Sequence, residues 1–140
     1  MKREEATRRW AHNILASIDS TSEETRRRLM ESCGRNCARS SVVDSAARCR
    51  GDLGKFLGTM RKWIGKDNVL LEGNRIDLTY DRCLCPLPLE VPESLASTFC
   101  NCSRGWLLEM FELVVGRPVE VELVSSIKAG GDKCRFVVLV

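Results

Sequence analysis

Val69-Leu70-Leu71-Glu72-Gly73-Asn74-Arg75-Ile76-Asp77-Leu78-Thr79-Tyr80 is where the chain changes its hydrophobic period. Two short runs rich in strand-forming residues flank Gly73-Asn74, a pair suited to a tight turn between antiparallel strands. In the second run Ile76, Leu78 and Tyr80 fall on one side, and Asp77 and Thr79 on the other. That is the period of a strand with one buried face. The stretch therefore predicts a β-hairpin over 69–80. Working outward from it, the reading is an α+β domain: a helical N-terminal half packed on an antiparallel sheet, with one long helix between strands.

Upstream, the apolar residues recur at helical spacing. Trp10, Ile14, Leu15 and Ile18 mark a helix over 4–18. Thr21, with Glu24 three residues later, has the pattern of a capping box and opens a helix running to about Cys33. Gly34 stands where a helix end wants a left-handed residue. A further helix is expected over 36–49, and a fourth from Leu53 to Ile64 ended by Gly65. Downstream, Pro86, Pro88 and Pro92 mark an irregular segment. Trp106, Leu107, Met110, Phe111, Val114 and Val115 then define an amphipathic helix over 103–115, closed by Gly116. Val119, Val121 and Leu123 alternate with Glu120 and Glu122 as a strand, Gly130-Gly131-Asp132 is a turn, and 136–140 is a last strand. We divide the chain into a helical part, 1–66, and an α+β part, 67–140, of one compact domain.

The 140 residues are 44% hydrophobic and 29% charged, a composition that folds rather than stays disordered. The positive surplus lies in residues 1–62, with Arg26, Arg27 and Arg28 the densest run. No aromatic residue is interleaved with those arginines, so they read as a solvated helix face and not as a nucleic-acid surface. No run approaches the roughly 20 apolar residues of a membrane span, and the charged start reads as a helix entry, so no secretory leader is expected. A cytoplasmic, reducing location is therefore expected, and it disfavours a disulfide scaffold.

Eight cysteines need explaining. Cys83-Leu84-Cys85 and Cys100-Asn101-Cys102 are two C-x-C pairs, and Cys134 stands alone downstream. Converging sulfur ligands suit zinc or, alternatively, an iron–sulfur cluster. We expect Cys83, Cys85, Cys100, Cys102 and Cys134 to supply such a site, with the second C-x-C at or just before a helix N-terminus. There the helix dipole would favour thiolates. Cys33, Cys37 and Cys49 form a separate group that either joins the same pocket or is structural. Gly34 suggests a helix break that bends Cys33 and Cys37 toward a common point. Cysteine catalysis lacks support: a nucleophilic thiol generally needs a base, and the single histidine, His12, sits in the first helix beside Trp10. No Gly-rich nucleotide loop, G-x-S-x-G elbow or paired-acid motif is present.

Over 69–140 the chain resembles the vinyl-4-reductase domain family. The matching elements are Cys100, Gly105 in a helix, Gly116-Arg117, a strand, and Gly131-Asp132-Lys133-Cys134-Arg135. The resemblance implies an α+β module that binds small molecules, as in phenol-sensing activators, archaeal redox-responsive regulators and bacteriochlorophyll vinyl reduction. It also implies a fold related to vesicle-tethering subunits that hold an acyl chain. Aromatic-sensing members hold zinc with three cysteines and a glutamate. Cys100 falls on the first of those cysteines and Cys134 on the last, while the other two positions fall on Leu123 and Ser126. Cys83, Cys85 and Cys102 are extra here and could complete the shell.

The function expected is therefore a metal-binding module, with zinc as the metal, that binds or senses a hydrophobic or aromatic molecule. Trp63, Trp106, Met110 and Phe111 are the expected pocket residues, between the 103–115 helix and an apolar surface of Leu70, Ile76 and Leu78. The alternatives are a thiol-based redox sensor, with thiolates near Arg35, Arg104 and Arg135, or a metal- or cysteine-dependent enzyme. A partner protein or a second copy would receive the signal. Neither nucleic acid nor membrane is an expected partner.

Overall fold

The structure is a computed structural model that describes residues 1–85 and 91–140. Among the described residues, five α-helices and four strands follow in the order α1 (Arg3–Asp19), α2 (Glu23–Ser41), α3 (Val43–Ala47), α4 (Leu53–Ile64), β1 (Val69–Glu72), β2 (Arg75–Tyr80), α5 (Glu93–Val115), β3 (Glu120–Ser125) and β4 (Cys134–Leu139). The class is α+β, with the helical half leading into the sheet, as the hairpin and its surroundings suggested. Of the proline-marked segment, Pro86 and Pro88 lie outside the described residues. Among the described residues no helix is long and apolar enough to cross a membrane.

The four strands form one antiparallel sheet in the order β1-β2-β4-β3. Ile76 pairs with Leu71 and Val138, and Leu78 with Val69 and Phe136. Those two rows supply the covered face. Ile76, Leu78, Phe136, Val138, Val121 and Val69 are buried in one core with Phe56, Leu57 and Met60 of α4 and Leu107, Met110, Phe111 and Val114 of α5. Phe56 meets Phe111 edge to face, ring centroids 5.2 Å apart. The row Leu70, Asp77, Val137 and Glu122 faces the other way, where Leu70 is 58% exposed. Leu70 thus offers nothing to a pocket, and Ile76 and Leu78 are sealed core.

Three helix boundaries differ from the sequence reading, each for a physical reason. The cap of α2 is Ser22, whose side chain accepts from the Thr25 N–H, while the Thr21 hydroxyl donates to the Ile18 carbonyl. Gly34 does not end α2 but sits buried inside it. A Cβ there would lie 2.7 Å from the Trp106 nitrogen and 2.8 Å from the Cys102 carbonyl carbon, both backbone atoms of α5. Gly105 repeats this from the other side, where a Cβ would lie 2.7 Å from the Glu31 Cα. Glycine in mid-helix costs about 1 kcal/mol against alanine. Here it is the only residue that lets two helices touch backbone to backbone. As a result α2 continues through the start of the expected 36–49 helix, leaving only the short α3.

The third difference is α5, which begins at Glu93. Ser97, Thr98, Asn101 and Ser103 are weak helix formers and hide the first turns from a propensity reading. Leu95, Ala96, Phe99 and Cys100 nonetheless recur at helical spacing and are buried. Thr98 also donates to the Asp19 carboxylate and ties the start of α5 to α1. Packing outweighs propensity. The α4 bounds, the Gly116 cap of α5 and the turn at Gly73-Asn74 agree with expectation. Trp10 is 67% exposed, so the apolar stripe of α1 is covered mainly at Leu15.

Candidate thiol-lined cavity and the α2–α5 seam

The α2–α5 contact is the most extensive between any two elements. Along it Arg35 donates to Glu31 at 3.1 Å, to Glu109 at 3.1 Å and to Glu112 at 2.7 Å. Arg39 adds a 2.7 Å bond to Glu109, and Arg104 reaches back to Glu31 at 2.9 Å and to the Val121 carbonyl at 2.9 Å. The Arg39 bond, joined by Arg35, holds the Glu109 carboxyl below its usual range. Burial raises Glu31, but the bonds from Arg104 and Arg35 outweigh it and leave its carboxyl lowered. These glutamates are bound carboxylates, unsuited to act as bases. The arginines are occupied as well: Arg35 and Arg104 face carboxylates, and Arg135 lies 3.7 Å from Asp132.

Where the seam ends, a cavity of about 400 Å³ opens beside one end of the sheet. Phe99, Cys100, Cys102, Ser103 and Trp106 of α5 form one wall. Met60, Trp63 and Ile64 of α4 form a second, with Cys37 and Ser41 from the end of α2 beside them. Tyr80 and the Cys83-Leu84-Cys85 run close the space beyond β2, and Ser126, Lys128, Cys134 and Phe136 close it from the β3–β4 side. Burial raises the Tyr80 phenol and keeps it protonated. Tyr80 packs on Phe136 at 5.4 Å, and the Lys128 ammonium sits 5.5 Å from the Phe99 ring centre.

Of the four aromatic and apolar residues expected at a pocket, Trp63 and Trp106 line the cavity, and Met110 and Phe111 do not. Both are fully buried further along α5, filling the space between α4 and the sheet. The helix period places all four on apolar faces, but position along the axis decides which residues meet an empty space. Cys49 is likewise a core residue, 2% exposed among apolar side chains, so of the Cys33, Cys37 and Cys49 group Cys37 lines the cavity while Cys33 and Cys49 do not. Sequence reasoning missed Tyr80, Phe99 and Phe136 as wall residues, because a strand or helix pattern marks them only as apolar.

Six of the eight cysteines line this one cavity: Cys37, Cys83, Cys85, Cys100, Cys102 and Cys134. The thiols divide by environment. Burial pushes the Cys100 and Cys134 thiols up; Cys83 adds to both, and Cys134 adds to Cys100. Ser126 bonds the Cys100 thiol, and the Ile127 N–H reaches the Cys134 sulfur at 3.4 Å. Both stay neutral near pH 7 and behave as small apolar groups. The expected helix-dipole activation fails because Cys100 and Cys102 lie two turns or more inside α5. Cys33 differs: a hydrogen bond from the Cys102 thiol lowers it to about 6, and the same bond, with burial, raises Cys102. Cys33 and Cys37 share one continuous helix, contrary to the expected break, and it is the proximity of α5 that makes Cys33 distinct.

The model of one family of unknown function, DUF6144, matches residues 2–140. The chain belongs to the DUF6144 family. Comparison of this DUF6144 chain with curated proteins returned no match. Among the described residues of the DUF6144 domain, no three Cys, His, Asp or Glu side chains are drawn together so as to hold a metal ion. Thiols that converge on one cavity therefore stop short of a formed metal shell.

Proposed function

We propose that this protein is a small-molecule-binding module whose ligand is apolar or aromatic and occupies the thiol-lined cavity. One observation carries the reading. A helix–sheet domain with a well-filled core keeps about 400 Å³ open, walled by Trp63, Trp106, Phe99, Tyr80 and Phe136. That volume falls in the range of small-ligand sites, which are concave, mainly apolar and few per protein. Neutral Cys100 and Cys134 add to a wall that is mainly apolar, and such a wall favours an apolar or aromatic ligand. The resemblance to vinyl-4-reductase domains points to the same ligand class.

A second reading, zinc at the same place, is favoured by Cys83, Cys100 and Cys134 lining one cavity, with Cys83 close enough to raise both of the other thiols. Neutral, unconverged thiols would have to lose protons and close on the ion, so metal binding would release protons and tighten this end of the fold. An iron–sulfur cluster would make the same demand of more thiols.

Titration of the anaerobically purified protein with p-cresol, followed by tryptophan fluorescence and calorimetry, tests both. Saturable binding of one molecule per chain is expected, weakened roughly tenfold in Trp106→Leu for the loss of one aromatic contact. Non-saturable binding, or Trp106→Leu equal to the parent, overturns the ligand reading. Metal content of the same sample decides the second: stoichiometric zinc that is lost in Cys134→Ser supports it, and metal-free protein that still binds p-cresol removes it.

A further inference from the structure

We propose that Cys33 and Cys102 are a peroxide-reactive thiol pair that closes to a disulfide across the α2–α5 seam. The two side chains belong to different helices whose backbones touch beside them, and each thiol shifts the other's ionisation. Their approach is built into the backbone. Gly34, next to Cys33, brings α2 so close to α5 that a Cβ would lie 2.8 Å from the Cys102 carbonyl carbon. Disulfides need Cα atoms within about 4.4–6.8 Å, a separation that helices packed side chain to side chain rarely reach. Glycines at 34 and 105 remove that obstacle. The inference does not depend on what the cavity binds.

The exposures of the pair are matched to the two roles of such chemistry. Cys33 is exposed, and Cys102 is half-buried. A hydroperoxide arriving from solvent meets Cys33 first. The Cys33 thiolate attacks one peroxide oxygen: an S–O bond forms, the O–O bond breaks, and the leaving oxygen departs as hydroxide or alkoxide. Cys33 is then a sulfenic acid. The Cys102 sulfur attacks the Cys33 sulfur, an S–S bond forms, the S–O bond breaks, and the hydroxyl leaves as water with the Cys102 proton. Two thiols have lost two electrons, and the peroxide has taken both. A dithiol reductant reverses the step by exchange.

Cys37 and Cys85 are also close enough to influence Cys102, so the test must tell partners apart. Reduced protein is treated with hydrogen peroxide, alkylated with iodoacetamide and digested with trypsin. Cleavage after Arg28 and Arg35, and after Arg82 and Arg104, puts Cys33 alone on residues 29–35 and Cys102 on residues 83–104. We expect these two peptides joined, the bond mapped to Cys33 and Cys102 by fragmentation, and the joined species abolished by dithiothreitol. It should vanish in Cys33→Ser and persist in Cys37→Ser and in Cys85→Ser. A bond mapped to any other pair overturns the proposal. So does accumulation of sulfinic acid at Cys33 while Cys102 stays open to alkylation. Fragmentation of the parent's own peptide decides the matter even if a variant fails to fold.

Discussion

Helix α5 carries two neighbouring regions that solve opposite problems. Along the seam with α2 the helices are pressed together: glycines face backbone, and ion pairs clamp the flanks. Beside the end of the sheet the same helix stands clear of α4 and β4, and large side chains surround open space. Side-chain size accounts for the difference. Where Gly34 and Gly105 each face the opposite helix, nothing separates the backbones. Where Trp63, Trp106 and Phe136 line the cavity, large rings stand around open space. The thiols follow the same division. Cys100 and Cys134 on the apolar wall are kept neutral by burial, and the exposed Cys33 is drawn toward ionisation by its neighbour. A cysteine's chemistry here is set by which of the two regions it joins.

The largest effect expected is in the filled part of α5. Phe111→Ala removes a fully buried ring that packs on Phe56 and should destabilise by about 4 kcal/mol. Urea unfolding measures this, and a loss below about 1 kcal/mol would mean Phe111 lies beside free space after all. The seam comes next. Gly34→Ala forces a methyl group against α5 backbone, which cannot turn aside as a flexible side chain could, at a cost of about 3 kcal/mol. An unchanged midpoint would show that the helices separate cheaply and that their tight contact is incidental.

The ion pairs give the smallest effect and the one with a pH signature. Glu31 and Glu109 titrate below the ordinary carboxylate range in the folded protein. Their contribution is therefore complete above the unfolded-state value and is lost as pH falls through the lowered folded values. The groups are partly exposed, so Arg35→Met should cost only about 1 kcal/mol near neutrality. The variant should also lose less stability than the parent between about pH 7 and pH 3. Parallel losses in the two proteins would place the acid sensitivity outside this network.

Much of the fold is legible without any coordinates. Alternation at Ile76, Leu78 and Tyr80, the Gly73-Asn74 turn, and the start and stop of α4 at Asp52 and Gly65 follow from local chemistry, and local chemistry is what a sequence displays. Gly34 misleads because a glycine that ends a helix and one that admits a neighbouring helix look alike along the chain. The first turns of α5 stay hidden because Ser, Thr, Asn and Cys form helix there only under tertiary packing. Of the expected pocket residues, Trp63 and Trp106 reach the cavity. Met110 and Phe111 share the helix's apolar character but lie away from the cavity's end.

Period, turn chemistry and capping residues were enough to establish an α+β chain with a hairpin and a long helix between strands, because each acts within a few neighbouring residues. The paired spacing of the cysteines was enough to single them out. Which thiols meet depends on two helices separated by some 50 residues of chain and on how closely glycine lets them approach. The open volume depends on where large side chains run out of partners. Contact between distant segments and the space left unfilled are properties of the assembled packing, and no local pattern carries them.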